Sequence, residues 1–266
     1  MSFFSYAPVP ESSPYYFEPF SPLHFAVLAT MVCVILVIVA FRKRLAAWKG
    51  EPRLRVIATI VAIAFEAGLH LCEYFTVDHY AFLRGLIPFE LCAVDLWLAV
   101  ALNASKRKWI FDLLYFWGLG AVVSYIFANT DGAGWNTFEF WEYFIVHGYI
   151  ILTMAWFASV HGYVVRFGTF LKSVAILFPI TLAVRFFDVA FSAEPYRFNF
   201  MFLLSPPDVH SPLDNFGHGW GYYFAFILLS VAVFLAVWVP WGAAAAARRM
   251  AATSRSREGA PSGSAH

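Results

Sequence analysis

The sequence predicts an all-α polytopic membrane protein, a seven-transmembrane-helix bundle with the N-terminus outside and the C-terminus cytoplasmic. Three observations lead there. The 266 residues are 61% hydrophobic and 13% charged, whereas a soluble domain is nearer half apolar and about a quarter charged. The apolar runs reach the ~20 residues that cross a bilayer as a helix, well beyond the roughly 10 of a barrel strand. The basic residues fall on alternate loops, which marks those loops as cytoplasmic.

Residues 1–22 hold Pro8, Pro10, Pro14, Pro19 and Pro22 among Tyr15, Tyr16 and Phe17. Proline disfavours helix and aromatic rings favour the membrane surface, so this is an interfacial, non-helical lead-in. It has no basic n-region and no early apolar run, so no cleavable signal peptide is expected. The membrane domain covers 23–242. Its spans are expected at 24–40, 55–75, 85–103, 109–128, 139–160, 169–191 and 218–241. Fifteen of the 18 Lys and Arg follow spans one, three, five and seven, and the loop 129–138 has none. The connection around 199–222 is dense in Pro, Asp, His and aromatics and is expected to form an ordered cap. Residues 243–266 turn rich in Ala, Ser and Gly and are expected to be a disordered cytoplasmic tail.

Other classes drop out. A retinal protein needs a Schiff-base lysine in its last span, and 218–241 has none. Cys33, Cys72 and Cys92 all lie in apolar segments and form neither a disulfide framework nor a metal spacing. Net charge is +1, with no basic face for a nucleic acid. No cofactor and no oligomeric state is assigned.

Ionisable groups at membrane depth are costly, so they face other helices or a wet cavity. Glu66, His70 and Glu73 share one face of span two by their i, i+4, i+7 spacing. Glu90, Cys92 and Asp95 lie in span three, His147 in span five, and Arg185 in span six. At 1.5 Å per residue, Glu66, Cys92 and His147 come out roughly 10–14 Å below the outer boundary, and Arg185 roughly 9 Å. The inner half is expected to hold no comparable set. The expectation is one intramembrane site open to the outer face. A thiol beside an imidazole is the pattern of a nucleophile with its base. Cys92 and His147 are therefore the candidate catalytic pair, with Glu90 or Glu66 orienting the base. Arg185, Asn199, Asp214, His70 and Asp95 are the candidate substrate-binding groups. Glu66, His70, Glu90 and His147 carry metal-ligating atoms, but their spacing matches no metal motif and no metal is assigned.

Several motifs also resemble a known family. Pro88-Phe89-Glu90-Leu91-Cys92 resembles the Pro-Leu-His-Leu-Cys of the YwaF-type bacterial integral membrane proteins. Phe116-Trp117-Gly118-Leu119 and Phe144-Ile145-Val146-His147-Gly148 are similar to that family's Phe-Trp-Gly-Leu and Phe-Ile-x-His-Gly. Asn199-Phe200-Met201-Phe202-Leu203 with Pro207 and Ser211-Pro212-Leu213-Asp214 is similar to its Asn-Tyr-Met-Phe-Leu…Pro…Ser-Leu-Leu-Asp. The match covers about 55 to 240 in order. The family's histidine before Leu-Cys is Glu90 here.

This resemblance implies kinship with a eukaryotic transmembrane family that remodels phospholipids through a cysteine acyl intermediate. The expected function is then a lipid-directed acyltransferase or hydrolase in a bacterial inner (cell) membrane, with membrane lipids as partners and a phospholipid or acyl chain as substrate. The alternatives are a proton-coupled transporter or small-solute binding protein, which the excess of acids suits, and a non-catalytic membrane assembly factor.

Overall fold

The computed structural model describes residues 3–4, 8–76, 82, 85–192, 197–206 and 212–258. Its helices are α1 (Pro22–Ala47), α2 (Glu51–Thr76), α3 (Leu91–Ser105), α4 (Lys108–Trp117), α5 (Leu119–Ile126), α6 (Phe138–Ser159), α7 (Phe167–Phe191) and α8 (Gly219–Glu258). Short 3-10 turns at Phe200–Phe202 and Pro212–Phe216 join α7 to α8. Among the described residues there is no strand. Five stretches are long and apolar enough to cross a membrane: α1, α2, the α4–α5 pair, α7 and Gly219–Ala252 of α8.

The bundle is arranged around α6. It is buried on most of its circumference, from Phe140 to Phe157, and carries α1, α2, α3 and α5 against its sides. A helix apolar all round belongs inside a bundle. The outer helices α1, α2 and α8 instead present exposed Val, Leu and Phe side chains, as lipid-facing surfaces do. The start of α1 is specified locally. Ser21 caps it by accepting the His24 N–H at 3.4 Å, and Pro22 follows at the first helical position, where no N–H is needed. His24 is fully buried. Its Nδ1 accepts from the Phe20 N–H at 2.9 Å and its Nε2 donates to the Tyr125 carbonyl at 3.0 Å, tying the lead-in to α5. Residues 8–17 clasp the outer loop through Val9 N–H to the Gly132 carbonyl and Trp135 N–H to the Tyr15 carbonyl.

Three features differ from the sequence expectation. The third apolar segment, expected as one span over 85–103, is interrupted after Gly85, and α3 starts only at Leu91. Pro88 supplies no N–H and keeps its predecessor out of the helical region. Glu90 is the N-cap with extended φ/ψ of −70° and 138°, so it sits at the helix mouth rather than inside the span. The fourth span breaks at Gly118, where a β-carbon would come 2.7 Å from both the Leu114 carbonyl oxygen and Met154 Sδ. The disordered tail expected from 243 meets a helix that runs on to Glu258. The alanine run 243–247 propagates it, since alanine is the best helix former; residues 259–266 lie outside the described residues.

Candidate intramembrane site

The end of the bundle that holds the C-terminal half of α2 and the start of α6, expected from the sequence to be the outer one, gathers acids from both helices. His70 sits between two carboxylates on α2, with Nδ1 2.9 Å from Glu73 Oε2 and Nε2 3.5 Å from Glu66 Oε1. This is the shared face that the spacing predicts. Glu142 of α6, which the sequence reading passed over, is buried and lies within electrostatic range of Glu66. Two carboxyl groups this close are not both ionised at low cost.

Cys92 lies in the first turn of α3, with Glu90, Asp95, Glu142 and Glu66 within electrostatic range. His147 is buried in α6, and its Nδ1 is 2.7 Å from the Tyr143 carbonyl oxygen. A carbonyl only accepts, so Nδ1 carries the proton and Nε2 keeps its lone pair, the form a general base needs. Cys92 and His147 are not hydrogen-bonded to each other. Tyr143 links them, its ring 4.4 Å from the His147 ring and its phenol within electrostatic range of Cys92. Asp95, one turn along α3, is fully buried and neither of its carboxyl oxygens has a hydrogen-bond partner. Among the described residues no group of three or more His, Cys, Asp and Glu is arranged to hold a metal ion.

Glu90, Arg185 and Asn199 meet at the cap instead. Glu90 Oε2 accepts the Met201 N–H at 2.9 Å. Arg185 Nη1 donates to the Leu203 carbonyl, and its guanidinium lies 4.4 Å from the Trp220 ring and 5.2 Å from that of Tyr223. Asn199 Nδ2 donates to the carbonyl and hydroxyl of Ser205, both at 3.0 Å, while its Oδ1 accepts from Leu204 and Ser205 N–H. That uses its full hydrogen-bonding capacity, so Asn199 braces the cap and offers no open atom to a lipid phosphate. Met201 and Phe202 both take φ of 53°, a left-handed conformation costing about 1–3 kcal/mol at each non-glycine residue. These side-chain contacts hold the strained turn. Asp214 is exposed in the second 3-10 turn, near Tyr222. Residues 207–211, part of the expected cap, lie outside the described residues.

The opposite end of the bundle, expected to be the inner one, corrects the expectation that it holds no comparable set. Glu51 Oε1 accepts from Arg55 Nε at 2.6 Å, Trp156 Nε1 at 3.0 Å and His161 Nε2 at 2.9 Å. Arg55 Nη1 donates to the Asn103 carbonyl. Asn103 Nδ2 in turn faces the Ala99 carbonyl, Tyr149 Oη and Thr153 Oγ1 at 3.0, 2.9 and 3.1 Å. Three helices, α2, α3 and α6, and His161 of the loop after α6 share this network. Burial holds the His161 imidazole below its ordinary value, against the opposing pull of its hydrogen bond to Glu51. The signal was present as Tyr149, Thr153 and Trp156, spaced i, i+4, i+7 on α6, but uncharged residues escape a search for charges.

Between α1, α2 and α6 runs a cavity of about 530 Å³, lined by Thr30, Val34, Arg55, Ala62, Gly148 and Thr153 among others. Neither Cys92 nor the outer acids line it. Its upper end reaches Phe144 and Gly148, flanking His147 on α6.

The sequence profile of the TMEM164 family matches residues 19–238. The chain belongs to the TMEM164 family. The matched region runs from the start of α1 into α8, and the family and the apolar helices together make this a multi-pass membrane protein. An uncharacterized protein of Treponema pallidum (strain Nichols) is 30% identical over 120 residues, which cover 44% of this chain and 48% of that protein. The chain thus spans about half the length of this relative. No solved structure matches the chain.

Proposed function

We propose that this TMEM164-family protein is a lipid-directed acyltransferase or hydrolase with an intramembrane site open to the outer leaflet. Cys92 is the nucleophile and His147 the base. The observation behind it is the placement of Cys92 in the first turn of α3, in electrostatic range of Glu66, a carboxylate that also acts on the buried His147 of α6. Helix N-termini offer amide N–H groups and positive dipole to a sulfur gaining charge. In this reading Nε2 takes the thiol proton as Sγ attacks an ester carbonyl. The acyl–oxygen bond breaks, the departing alkoxide takes the proton from the imidazolium, and a thioester remains. A lysolipid hydroxyl or water then attacks the thioester and restores the thiol. Glu66 lies within electrostatic range of His147 and steadies the imidazolium, while Glu90 is engaged at the cap. Arg185 Nε, buried without a hydrogen bond, is the polar group nearest in kind to what a lipid headgroup needs. The motif likeness to YwaF-type proteins and the bacterial relative support a place in a bacterial cell membrane. The alternating distribution of Lys and Arg supports seven spans, N-terminus outside. Cys92→Ala in reconstituted vesicles is expected to abolish acyl exchange on labelled phospholipid; unchanged exchange overturns the proposal.

A second reading rests on the closeness of the Glu66 and Glu142 carboxyl groups, which favours a proton on one of them. It makes the protein a proton-coupled transporter. There Glu142→Gln would stop uptake while Cys92→Ala would spare it.

A further inference from the structure

We propose that the groove between α1 and α2 is a binding site for a long-chain fatty acid, with the carboxylate held at its inner end by Arg55. The site is separate from Cys92 and does not depend on the cysteine chemistry. α1 and α2 are joined by a short loop at 48–50, and each packs on α6, yet they hardly touch one another. The gap between them is the cavity of about 530 Å³, within the roughly 300–1,000 Å³ of small-molecule sites. Its lining is apolar along most of its length: Met31, Val34, Ile38, Ala58, Val61 and Leu152. Along α6 it extends from Phe144 to Trp156, about 18 Å at 1.5 Å per residue. One leaflet's hydrocarbon is roughly 15 Å deep, so the groove takes a single acyl chain lying along the helices.

The charged group is at one end: Arg55 lines the cavity beside Asn103 and Thr153, with Tyr149 one turn further along α6. Thr30 also lines it, with its hydroxyl bonded to the Ala26 carbonyl. Asn103, Tyr149 and Thr153 are committed to one another. Arg55 is buried, and uses Nε for Glu51 and Nη1 for the Asn103 carbonyl. Its Nη2 makes no hydrogen bond within the protein. That leaves one guanidinium edge in an apolar channel, which suits a planar anion. Glu51 and the Asn103 carbonyl already take two of the guanidinium's donors, so the remaining Nη2 side suits one small anionic group such as a carboxylate. A chain held this way keeps its carboxyl carbon at the inner end and its methyl end near Phe144. It is not in position to react at Cys92, and the site is a holding or regulatory one.

The test is equilibrium binding of radiolabelled palmitate to the full-length protein in nanodiscs. Saturable binding near one palmitate per chain is expected, with 1-hexadecanol competing poorly. Glu51→Gln combined with Arg55→Gln removes both charges without leaving one alone. It should weaken palmitate roughly tenfold to a hundredfold, the loss of a charge-assisted contact, and leave hexadecanol unchanged. Val34→Trp, on α1 and clear of the polar network, should fill the groove and abolish binding while thermal stability stays near wild type. Equal binding of palmitate and hexadecanol, or palmitate binding that survives Val34→Trp, overturns the proposal. Saturable binding of a lysophospholipid with none of palmitate overturns it too. Cys92→Ala should leave palmitate binding intact whether or not the acyl-transfer reading holds.

Discussion

Glu90 Oε2 accepts a hydrogen bond from the Met201 backbone N–H across the mouth of α3, at 2.9 Å. It thereby ties the helix that carries Cys92 to a turn whose next residue, like Met201 itself, is in the left-handed region. The motif likeness places a histidine at this position in related sequences, so the carboxylate is a departure with a structural use. Glu90→Ala should cost about 1–3 kcal/mol, the penalty of stranding a buried N–H. Glu90→Gln keeps an acceptor and should cost less. Thermal unfolding in detergent of both variants checks the difference.

Asp95 is the converse case, a fully buried carboxyl group with no hydrogen bond. Replacing such a group by an apolar residue of similar size is neutral or stabilising, by about 1–3 kcal/mol. Asp95→Leu should therefore raise the unfolding temperature. If the same variant loses acyl exchange, the carboxyl is retained for the chemistry near Cys92; if activity is unchanged, it is a passive core group.

Asn103 Nδ2 lies within hydrogen-bonding distance of three acceptors from α3 and α6, which share its two hydrogens. Asn103→Ala removes all three contacts and leaves the Tyr149 and Thr153 hydroxyls short of a donor. A loss of about 2–3 kcal/mol is expected. Tyr149→Phe in the same background should then cost less than it does alone, because the two side chains belong to one network. A double-mutant cycle by thermal unfolding measures it.

His161 gives a pH dependence with a definite sign. Burial keeps its folded-state value below the ordinary 6.5, so the unfolded chain binds the proton more readily. Its contribution is fully present above about pH 6.5 and is lost as the solution is acidified through the lower folded value. The unfolding temperature should fall as pH drops from about 7 to 5, the range around an unperturbed histidine. His161→Gln, which still offers an N–H to Glu51, should flatten that fall.

Hydropathy made the helices legible because a membrane span is specified by length and apolarity alone. The face shared by Glu66, His70 and Glu73 was legible because helical spacing is rigid. The break before Leu91 was harder to see: Pro88 sits in an apolar run, and hydropathy does not register the missing N–H. Glu142 was missed because its importance comes from Glu66 on another helix, which no local pattern reveals. The inner network was missed for the same reason, compounded by its reliance on amide, hydroxyl and indole groups. Asn199 was read as a lipid ligand because only coordinates show that both ends of its side chain are already occupied.

The brevity of α3 has a consequence for the lipids themselves. Its 15 residues make a rod of about 22 Å, several ångströms less than the ~30 Å hydrocarbon slab around it. A segment that falls short is met by local thinning of the bilayer. The leaflet on that side should dip beside Pro88, lowering its glycerol backbones toward the level of the sulfur. In the acyl-transfer reading, the ester would then reach the protein by deformation of the membrane, without the lipid having to leave it.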